Sequence, residues 1–280
     1  MRSYQLKTVS RGLTQTGGFL RGFAFSLNPY IGCAFGDHGG CPFCYVRALP
    51  VARTVQGEWG SWVVAKINLP DILRRELQSL AGAGKLGRAA IFMSSATDPY
   101  QGIERRLCLT HQVLVVLTEI PPHRILLQTR SPLIMRDVGV LRELGDHLIV
   151  SITVETDDER VRRAFTPTSP SIARRLACAA HLREQGIFTQ LAIAPMLPNN
   201  PAHFAEIADS VADRVIVDTY FAGDGSGGGR SRSLGMQQRY EALGYGDWFH
   251  PGKERELLES MRSRLGSHRV LFSRDGFNAV

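Results

Sequence analysis

Residues 28–47 read "NPYIGCAFGDHGGCPFCYVR" and contain three of the five cysteines of the chain, Cys33, Cys41 and Cys44. Three thiols this close together in a glycine-rich loop have no packing role, and they predict a metal site. Their spacing, C-x7-C-x2-C, is compatible with two kinds of site. One is a tetrahedral Cys3His zinc site that His38 would complete, and the other is a [4Fe–4S] cluster whose fourth iron stays open to another ligand.

The composition is that of a globular protein. The chain has 280 residues, of which 44% are hydrophobic, so it can form one large domain or two small ones with a sizeable core. No apolar run approaches the roughly 18 residues of a membrane span, and the first residues lack the apolar segment of a secretory signal. These features predict a cytoplasmic protein with no membrane partner, in which thiols stay reduced and bind metal.

The net charge of +7 is compatible with a nucleic-acid partner. Much of this charge comes from arginine pairs in segments of helical character, which predicts solvated helix faces instead. The pairs are Arg74–Arg75, Arg105–Arg106, Arg162–Arg163 and Arg174–Arg175.

Strand-length apolar runs alternate with helical segments along the chain. The strand segments are Phe23–Leu27 and residues 89–94, 124–129, 147–154, 188–194 and 213–221. The helical segments are residues 70–80, 104–119, 157–165, 169–186 and 200–212. Such alternation is typical of an α/β fold with a parallel sheet, and about six units in one series predict a partial (β/α)6 barrel. Ligands bind such sheets at the carboxyl ends of the strands, where the cysteine loop lies.

The pattern divides the chain into three parts. Residues 1–24 are an N-terminal extension, residues 25–221 form the barrel, and residues 222–280 hold a glycine-rich loop and a C-terminal extension. We expect the stretch "AGDGSGGGRSRS" (222–233) to be a mobile loop, and the two extensions to close the barrel mouth. Location alone makes six residues candidates for the substrate pocket: Tyr220, Asp224, Arg230, Arg232, Arg274 and Asp275.

Five motifs in order carry a resemblance to a known family. They are "NPYIGC…CPFCYVR", "SSATDPYQGIE", "LQTRSPLIMRD", "VSITVETDD" and "LAIAPMLP", which together cover residues 28 to 198. This set resembles the radical SAM superfamily, and within it the branch that contains spore photoproduct lyase. The family usually spaces its cysteines C-x3-C-x2-C, whereas this loop carries four additional residues, and the insertion keeps the zinc alternative open.

The resemblance implies that Cys33, Cys41 and Cys44 hold a [4Fe–4S] cluster that binds S-adenosylmethionine. Reductive cleavage of that cofactor would give a 5′-deoxyadenosyl radical, which abstracts hydrogen from a substrate. It also implies a reducing electron donor such as flavodoxin or ferredoxin.

The resemblance further implies which residues position S-adenosylmethionine. Ser94, Ser95, Thr97 and Asp98 would receive the methionyl ammonium, and Arg130 its carboxylate. Ser151, Thr153 and Glu155 share one face of a strand, either the barrel interior or the helix layer, and would bind ribose hydroxyls or the carboxylate. Phe43 and Ala194 would contact adenine.

Structural roles remain open for each of these residues. Asp98 can cap an Asp-Pro turn, Arg130 can be a surface cation, and Ser151, Thr153 and Glu155 can bond internally. Ala194 can be a plain strand end, and Phe43 can pack within its loop.

Two other functions remain open. The first is nucleic-acid lesion repair or modification, although spore photoproduct lyase uses an additional cysteine near its second strand as hydrogen donor and "FMSSATD" here has no thiol. We expect Cys108 and Cys178 to be small buried hydrophobes. The second is a zinc-stabilised, non-catalytic binding protein.

Overall fold

The computed structural model describes residues 3–35 and 40–279, so His38 lies outside the described residues. The strands are β1 (Ser3–Lys7), β2 (Leu13–Gln15), β3 (Phe25–Leu27), β4 (Tyr30–Cys33), β5 (Trp62–Lys66), β6 (Ala90–Met93), β7 (Arg124–Thr129), β8 (Leu148–Thr153), β9 (Thr189–Ile193), β10 (Arg214–Val217) and β11 (Val270–Phe272). The helices are α1 (Leu69–Gly82), α2 (Glu104–Leu107), α3 (Leu109–Glu119), α4 (Val138–Glu143), α5 (Glu159–Phe165), α6 (Ile172–Glu184), α7 (Pro201–Val211), α8 (Tyr220–Gly223), α9 (Gly229–Ser233), α10 (Met236–Ala242), α11 (Glu254–Leu265) and α12 (Ser273–Phe277).

The main sheet has the strand order β11-β10-β9-β8-β7-β6-β3-β2. All neighbouring pairs from β3 to β11 are parallel, and only β2 runs antiparallel to its neighbour. Helices connect most of the parallel strands, as right-handed β/α units require. The prediction of an α/β partial barrel is confirmed.

Side chains alternate between the helix layer and the barrel interior. On β6, Ile91 belongs to the large cluster that the helices cover, whereas Phe92 belongs to a small interior cluster with Leu126 and Ile216. On β8 the interior residue is Ile149. Because side chains alternate along a strand, Ser151 and Thr153 also face the barrel interior.

Two features of the first half of the chain differ from the sequence pattern. The helix predicted over residues 104–119 is two helices, because Cys108 between them has a left-handed backbone with φ of 49°. A second sheet, with the order β1-β5-β4, was not predicted. Within it Gly32 has φ of 83°, and a Cβ there would lie 2.5 Å from the carbonyl oxygen of Trp62, so no other residue fits.

The sequence pattern predicted that the arginine pairs are solvated, but two of these arginines are buried. Arg162 is 6% exposed and Arg175 is fully buried. On α6 the buried residues are Ile172, Arg175, Cys178, Ala179 and Leu182, so Arg175 occupies a core-facing position of the helix. The expectation of a solvated face is therefore wrong for these two arginines.

The glycine-rich segment is folded, which contradicts the expected mobile loop. The buried carboxylate of Asp224 accepts hydrogen bonds from the backbone N–H groups of Ser226 (2.7 Å), Gly228 (3.0 Å) and Ser231 (3.1 Å), and from both serine hydroxyls. These bonds lead the chain into α9. One acidic side chain thus orders a stretch whose glycine content alone predicts flexibility.

The two ends of the described chain close the open side of the barrel. Phe277 packs on Phe19, with ring centroids 5.7 Å apart, and on Phe92 of the interior. The amide of Asn278 bonds the carbonyl of Phe19 and the N–H of Gly22. The strands β2 and β11 join the main sheet at its two edges. Among the described residues, no helix has the length and apolar character needed to cross a membrane.

Candidate functional site

The cysteine loop leaves the barrel at the carboxyl end of β3. Cys33 ends β4, which pairs with β5 outside the barrel, and a turn from Cys41 to Cys44 is closed by a backbone hydrogen bond of 3.1 Å. The three thiols are free and half-buried. A short 3₁₀ helix, Tyr45–Ala48, follows the turn.

Burial makes all three thiols poor acids without a bound cation. It raises the pKa of Cys33 and Cys44, and it raises the pKa of Cys41 to about 11 although Arg130 lowers it. Metal ligation requires thiolates, so an iron centre would supply the missing positive charge.

Three cysteine thiols are the donor type that iron–sulfur clusters use. In the described part of the chain, no three His, Cys, Asp or Glu side chains converge on a single ion. A [4Fe–4S] cluster binds each cysteine to a different iron, so its ligands need not converge on one point. His38, on which the zinc alternative depends, is outside the described residues.

Arg130 lies beside Cys41 at the end of β7. Its Nη1 is 3.0 Å from Cys41 Sγ, 3.0 Å from Glu155 Oε1 and 3.3 Å from Ser169 Oγ. Glu155 is fully buried, and its other oxygen accepts from Arg175 Nη1 at 2.7 Å. Burial alone would raise the pKa of Glu155, but Arg130 and Arg175 outweigh it and hold that pKa below its usual value. Arg130 is therefore part of a buried ionic chain and not a surface cation.

Asp98 fixes the backbone at the ends of β6 and β7. One carboxylate oxygen accepts from the hydroxyl of Thr129 (2.7 Å) and the N–H of Tyr100 (2.9 Å), and the other accepts from the N–H of Arg130 (3.0 Å). This arrangement is the capped Asp-Pro turn that the sequence left open. Contact of Asp98 with an ammonium group stays a prediction.

The neighbours of Asp98 support the cysteine loop. Thr97 donates to the carbonyl of Gly32, and Ser95 accepts from the side chain of Asn28 at 3.3 Å. Ser94 has φ of 80°, and its buried hydroxyl has no hydrogen-bond partner in the described chain. Of these residues, Ser94 is the one with an unused polar group for a ligand.

The other predicted contacts lie around the barrel mouth. Ser151 accepts from Gln190 at 3.0 Å and Thr153 accepts from Gln128 at 3.3 Å, so both bond internally. Ala194 follows β9 and packs against the interior cluster. Phe43 is buried, with its ring 6.3 Å from that of Tyr220. Loop packing of Phe43 is therefore present, and its contact with adenine remains a prediction.

The residues proposed by location alone separate into three groups. Asp224 is buried as the centre of its loop, and Tyr220 joins the aromatic cluster that covers Phe43. Arg230 and Arg232 are exposed on α9, which packs on the 3₁₀ helix after Cys44. Arg274 and Asp275 lie on α12 with solvent-exposed side chains.

A buried ionic network behind the site was missed from the sequence. Glu104 is fully buried and binds Arg136 at 2.6 Å, the hydroxyl of Tyr30 and the N–H of Thr110. Arg136 also binds Asp137. Tyr30, Glu104 and Arg136 belong to three of the quoted motifs, so the network links β4 of the cysteine loop to the segments after β6 and β7.

Of the two cysteines expected to be buried hydrophobes, only Cys178 is buried. Cys108 is half-exposed beside the ionic network, 3.6 Å from Arg136.

A second missed residue is Asp218, which directly follows β10 at the barrel mouth. Its Oδ1 accepts from the N–H of Thr219 at 2.9 Å. Burial is the main reason that the pKa of Asp218 rises to about 7, and the charge of Asp224 adds to it. The sequence pattern placed Asp218 inside a strand predicted over residues 213–221, whereas β10 ends at Val217, so Asp218 was not recognised as a strand-end residue.

Comparison with known sequences identifies the family of this site. The radical SAM superfamily model matches residues 27–211, more than half of the chain. An uncharacterised protein of Methanocaldococcus jannaschii is 31% identical over 178 residues, which cover 64% of this chain and 62% of that protein. An uncharacterised protein of Acidianus two-tailed virus is 28% identical over 183 residues, covering 63% and 57%. The matched region thus spans about three-fifths of these relatives.

Solved structures share the fold. Spore photoproduct lyase complexed with dinucleoside spore photoproduct superposes with a TM-score of 0.66 over 96% of this chain and 81% of that chain, at 14% identity. Streptococcus suis SuiB bound to precursor peptide SuiA superposes with a TM-score of 0.51 over 78% and 46%, at 13% identity.

Proposed function

The chain belongs to the radical SAM superfamily, and on that premise we propose that Cys33, Cys41 and Cys44 hold a [4Fe–4S] cluster for radical chemistry on S-adenosylmethionine. Bound there, the cluster would supply one electron for cleavage of the sulfonium C–S bond, giving methionine and a 5′-deoxyadenosyl radical that abstracts hydrogen from a substrate. The observation that supports this proposal best is the set of three half-buried thiols at the carboxyl edge of the barrel, with Arg130 beside Cys41.

The protein groups would bind and orient the cofactor while excluding water. Among the described residues, Arg130 makes its contacts with Cys41 and Glu155 through Nη1, so Nε and Nη2 can pair with a carboxylate. The unpartnered hydroxyl of Ser94 can accept from an ammonium group. Asp98 would act by holding the backbone of Arg130 in place. A reducing protein such as flavodoxin or ferredoxin would deliver the electron.

The test is an anaerobic assay of the full chain. Wild type and Cys41→Ala are reconstituted with iron and sulfide, mixed with dithionite and S-adenosylmethionine, and analysed by chromatography for 5′-deoxyadenosine. We expect product from wild type, loss of product and of most bound iron in Cys41→Ala, and retention of both in Cys178→Ala, whose thiol is buried on α6. Wild type that binds zinc, contains no iron and loses its metal in His38→Ala would overturn the proposal.

A second candidate function is the modification of nucleic acid, supported by positive charge near the site. Arg47 follows Cys44 by three residues, and Arg230 and Arg232 lie on α9, which packs on the same 3₁₀ helix. Within the described ranges, none of these three has a carboxylate partner within salt-bridge distance. A solved structure of the same fold is complexed with a dinucleoside photoproduct.

Retention on DNA tests this second function. We expect a Kd that rises steeply with salt, and a weaker salt dependence when Arg47, Arg230 and Arg232 are all changed to Gln. The matched control is the triple change of the exposed Arg75, Arg88 and Arg105 to Gln, which also removes three positive charges. Equal losses in both variants would indicate non-specific attraction to a basic protein and would favour a small-molecule or peptide substrate.

A further inference from the structure

Arg175 is a fully buried cation with an unusual set of contacts. Its Nη1 donates to the carbonyl of Thr153 at 2.8 Å and to Glu155 Oε2 at 2.7 Å, while Nε and Nη2 are buried with no partner in the described chain. A buried guanidinium that leaves two nitrogens unbonded is costly, and a hydrophobic residue would pack this helix position more favourably. Its presence on the core face of α6 therefore needs a reason other than stability.

Three successive contacts lead from Arg175 to the cysteine loop. Glu155, which has no exposed surface, lies between Arg175 on one side and Arg130 on the other, where the distance is 3.0 Å. Arg130 in turn places Nη1 3.0 Å from Cys41 Sγ. Arg175, Glu155 and Arg130 thus form a continuous ionic chain that ends on the sulfur of Cys41.

A row of charged side chains that ends on a ligand of an iron–sulfur cluster changes how readily the cluster accepts an electron. Hydrogen bonds to the sulfurs, net charge and solvent exposure are the protein's means of setting the reduction potential of an iron–sulfur cluster. A positive charge near the ligand stabilises the reduced cluster, and a negative charge destabilises it. In a buried site such charges are weakly screened, so single-charge changes at Arg175 or Glu155 reach Cys41.

We propose that Arg175, acting through Glu155 and Arg130, is a positioning residue that sets the reduction potential of the cluster held by Cys41. This inference rests on the proposed function, because it requires a [4Fe–4S] cluster. Arg175 neutralises Glu155 and so leaves the guanidinium of Arg130 with a net positive influence on the sulfur. No role in contacting substrate or S-adenosylmethionine is assigned to Arg175.

Two substitutions make opposite predictions. Arg175→Met leaves the charge of Glu155 to be compensated by Arg130, which weakens the positive influence of Arg130 on the Cys41 sulfur, so the reduction potential falls. Glu155→Gln removes the negative charge beside Arg130, which strengthens the positive influence of Arg130 on the Cys41 sulfur, so the potential rises. Both changes disturb the same group of buried charged side chains, so both lower stability. The sign of the shift in reduction potential separates an electrostatic role from a structural one.

The experiment is a redox titration of the reconstituted full chain, followed by the electron paramagnetic resonance signal of the reduced cluster. Wild type, Arg175→Met, Arg175→Lys, Glu155→Gln and Arg183→Met are compared. Arg175→Lys keeps the charge if Arg175→Met fails to fold. Arg183 is the control, since it lies two turns further along α6 and is paired with Asp213 at 2.9 Å. We expect a lower potential in Arg175→Met, a higher one in Glu155→Gln, and no change in Arg183→Met.

The outcomes separate the two proposals. If wild type assembles no iron–sulfur cluster, the proposed function fails and this inference fails with it. If every variant carries the cluster, but Arg175→Met and Glu155→Gln shift the potential in the same direction or leave it at the wild-type value, only the role of Arg175 is overturned. If Arg175→Met does not fold, the other two variants decide. The role of Arg175 is supported if the potential of Arg175→Lys stays near that of wild type and the potential of Glu155→Gln is raised. It is overturned if the potential of Glu155→Gln equals that of wild type.

Discussion

Asp218 is a carboxylic acid held in surroundings that favour its neutral form. It directly follows β10, is 9% exposed, and lies so close to α8 that a Cβ on Gly223 would approach its Oδ2 to 1.9 Å. Its pKa rises to about 7 because burial penalises the charged form and Asp224 adds repulsion, against hydrogen bonds from Ser273 and Thr219. Because the folded pKa lies above the unfolded value, deprotonation opposes folding.

The first prediction is that Asp218→Asn stabilises the protein at alkaline pH. At pH values below the unfolded pKa of about 4, Asp218 is neutral in both states and does not lower the unfolding free energy. The loss of unfolding free energy in wild type grows between roughly pH 4 and 7 and reaches its full size above about pH 7. The variant lacks this cost, so its unfolding free energy relative to wild type rises by roughly 1–4 kcal/mol between pH 4.5 and pH 8. Urea unfolding at a series of pH values measures it.

Asp209→Asn provides the opposite case. Arg269, followed by Arg264, holds the pKa of Asp209 below its usual value, so the charged form of Asp209 stabilises the fold. Asp209→Asn should therefore lower the unfolding free energy slightly at neutral pH. A difference between wild type and Asp218→Asn that stays constant with pH would mean that Asp218 has an ordinary pKa in the folded protein.

At the scale of elements, two Glu–Arg ion pairs connect neighbouring segments with very different burial. Glu104 of α2 has no exposed side-chain surface and binds Arg136 at 2.6 Å. Glu119 of α3 is 47% exposed and binds Arg74 of α1 at 2.5 Å. Water screens the exposed pair, whereas Glu104 also receives Tyr30 from the cysteine-loop strand.

The second prediction is that Glu104→Gln destabilises the protein by roughly 2–4 kcal/mol and Glu119→Gln by less than about 1 kcal/mol. Removing one member of a buried pair leaves Arg136 uncompensated, and an amide cannot accept from all of its present donors. Urea unfolding of both variants at pH 7 gives the comparison. Similar costs for the two changes would show that the network of Glu104 does not hold β4 against the segment after β7.

The elements that the sequence predicted are those that local pattern determines. The strands β6 to β10 are runs of apolar residues bounded by polar ones, because both of their faces are buried. The sheet β1-β5-β4 escaped prediction because its pairings join segments far apart in the chain, and all five residues of β1 are exposed. The break at Cys108 depends on one left-handed residue that no hydrophobic period reveals.

The candidate site, like the fold, could be predicted from the sequence only in part. Spacing and resemblance singled out the cysteines and the strand-end residues Asp98, Arg130 and Glu155; the fold places Arg130 beside Cys41 and Glu155, and their roles toward a cluster and a cofactor stay predictions. Arg175 was missed because its neighbour Arg174 made it look like part of a solvated pair, although its spacing from Ile172 and Leu182 already placed it on the buried stripe of α6. A charged residue on an apolar stripe is a signal for an ionic partner, and only the fold identifies that partner.

At the scale of the whole molecule, the partial barrel has an open side between its edge strands. The C-terminal segment closes it, since Phe277 is 5% exposed and inserts between Phe19 and the interior residue Phe92. Asn278 adds bonds to the backbone of Phe19 and Gly22, so segments some 250 residues apart in sequence hold each other. Phe277 itself belongs to the small interior cluster, which includes Phe23, Phe92 and Leu126.

The third prediction is that Phe277→Ala destabilises the protein by about 3–5 kcal/mol and loosens the N-terminal segment as well as the C-terminal one. The lost ring leaves a cavity against both Phe19 and Phe92, so hydrogen exchange followed by mass spectrometry should accelerate over residues 16–24 and 270–279 together. Phe188→Ala is the control, because that ring is 44% exposed and its loss should cost less than about 1 kcal/mol. Faster exchange confined to residues 270–279 would show that the N-terminal segment is held by β2 alone, and that the open side of the barrel does not need the C-terminal segment to exclude water.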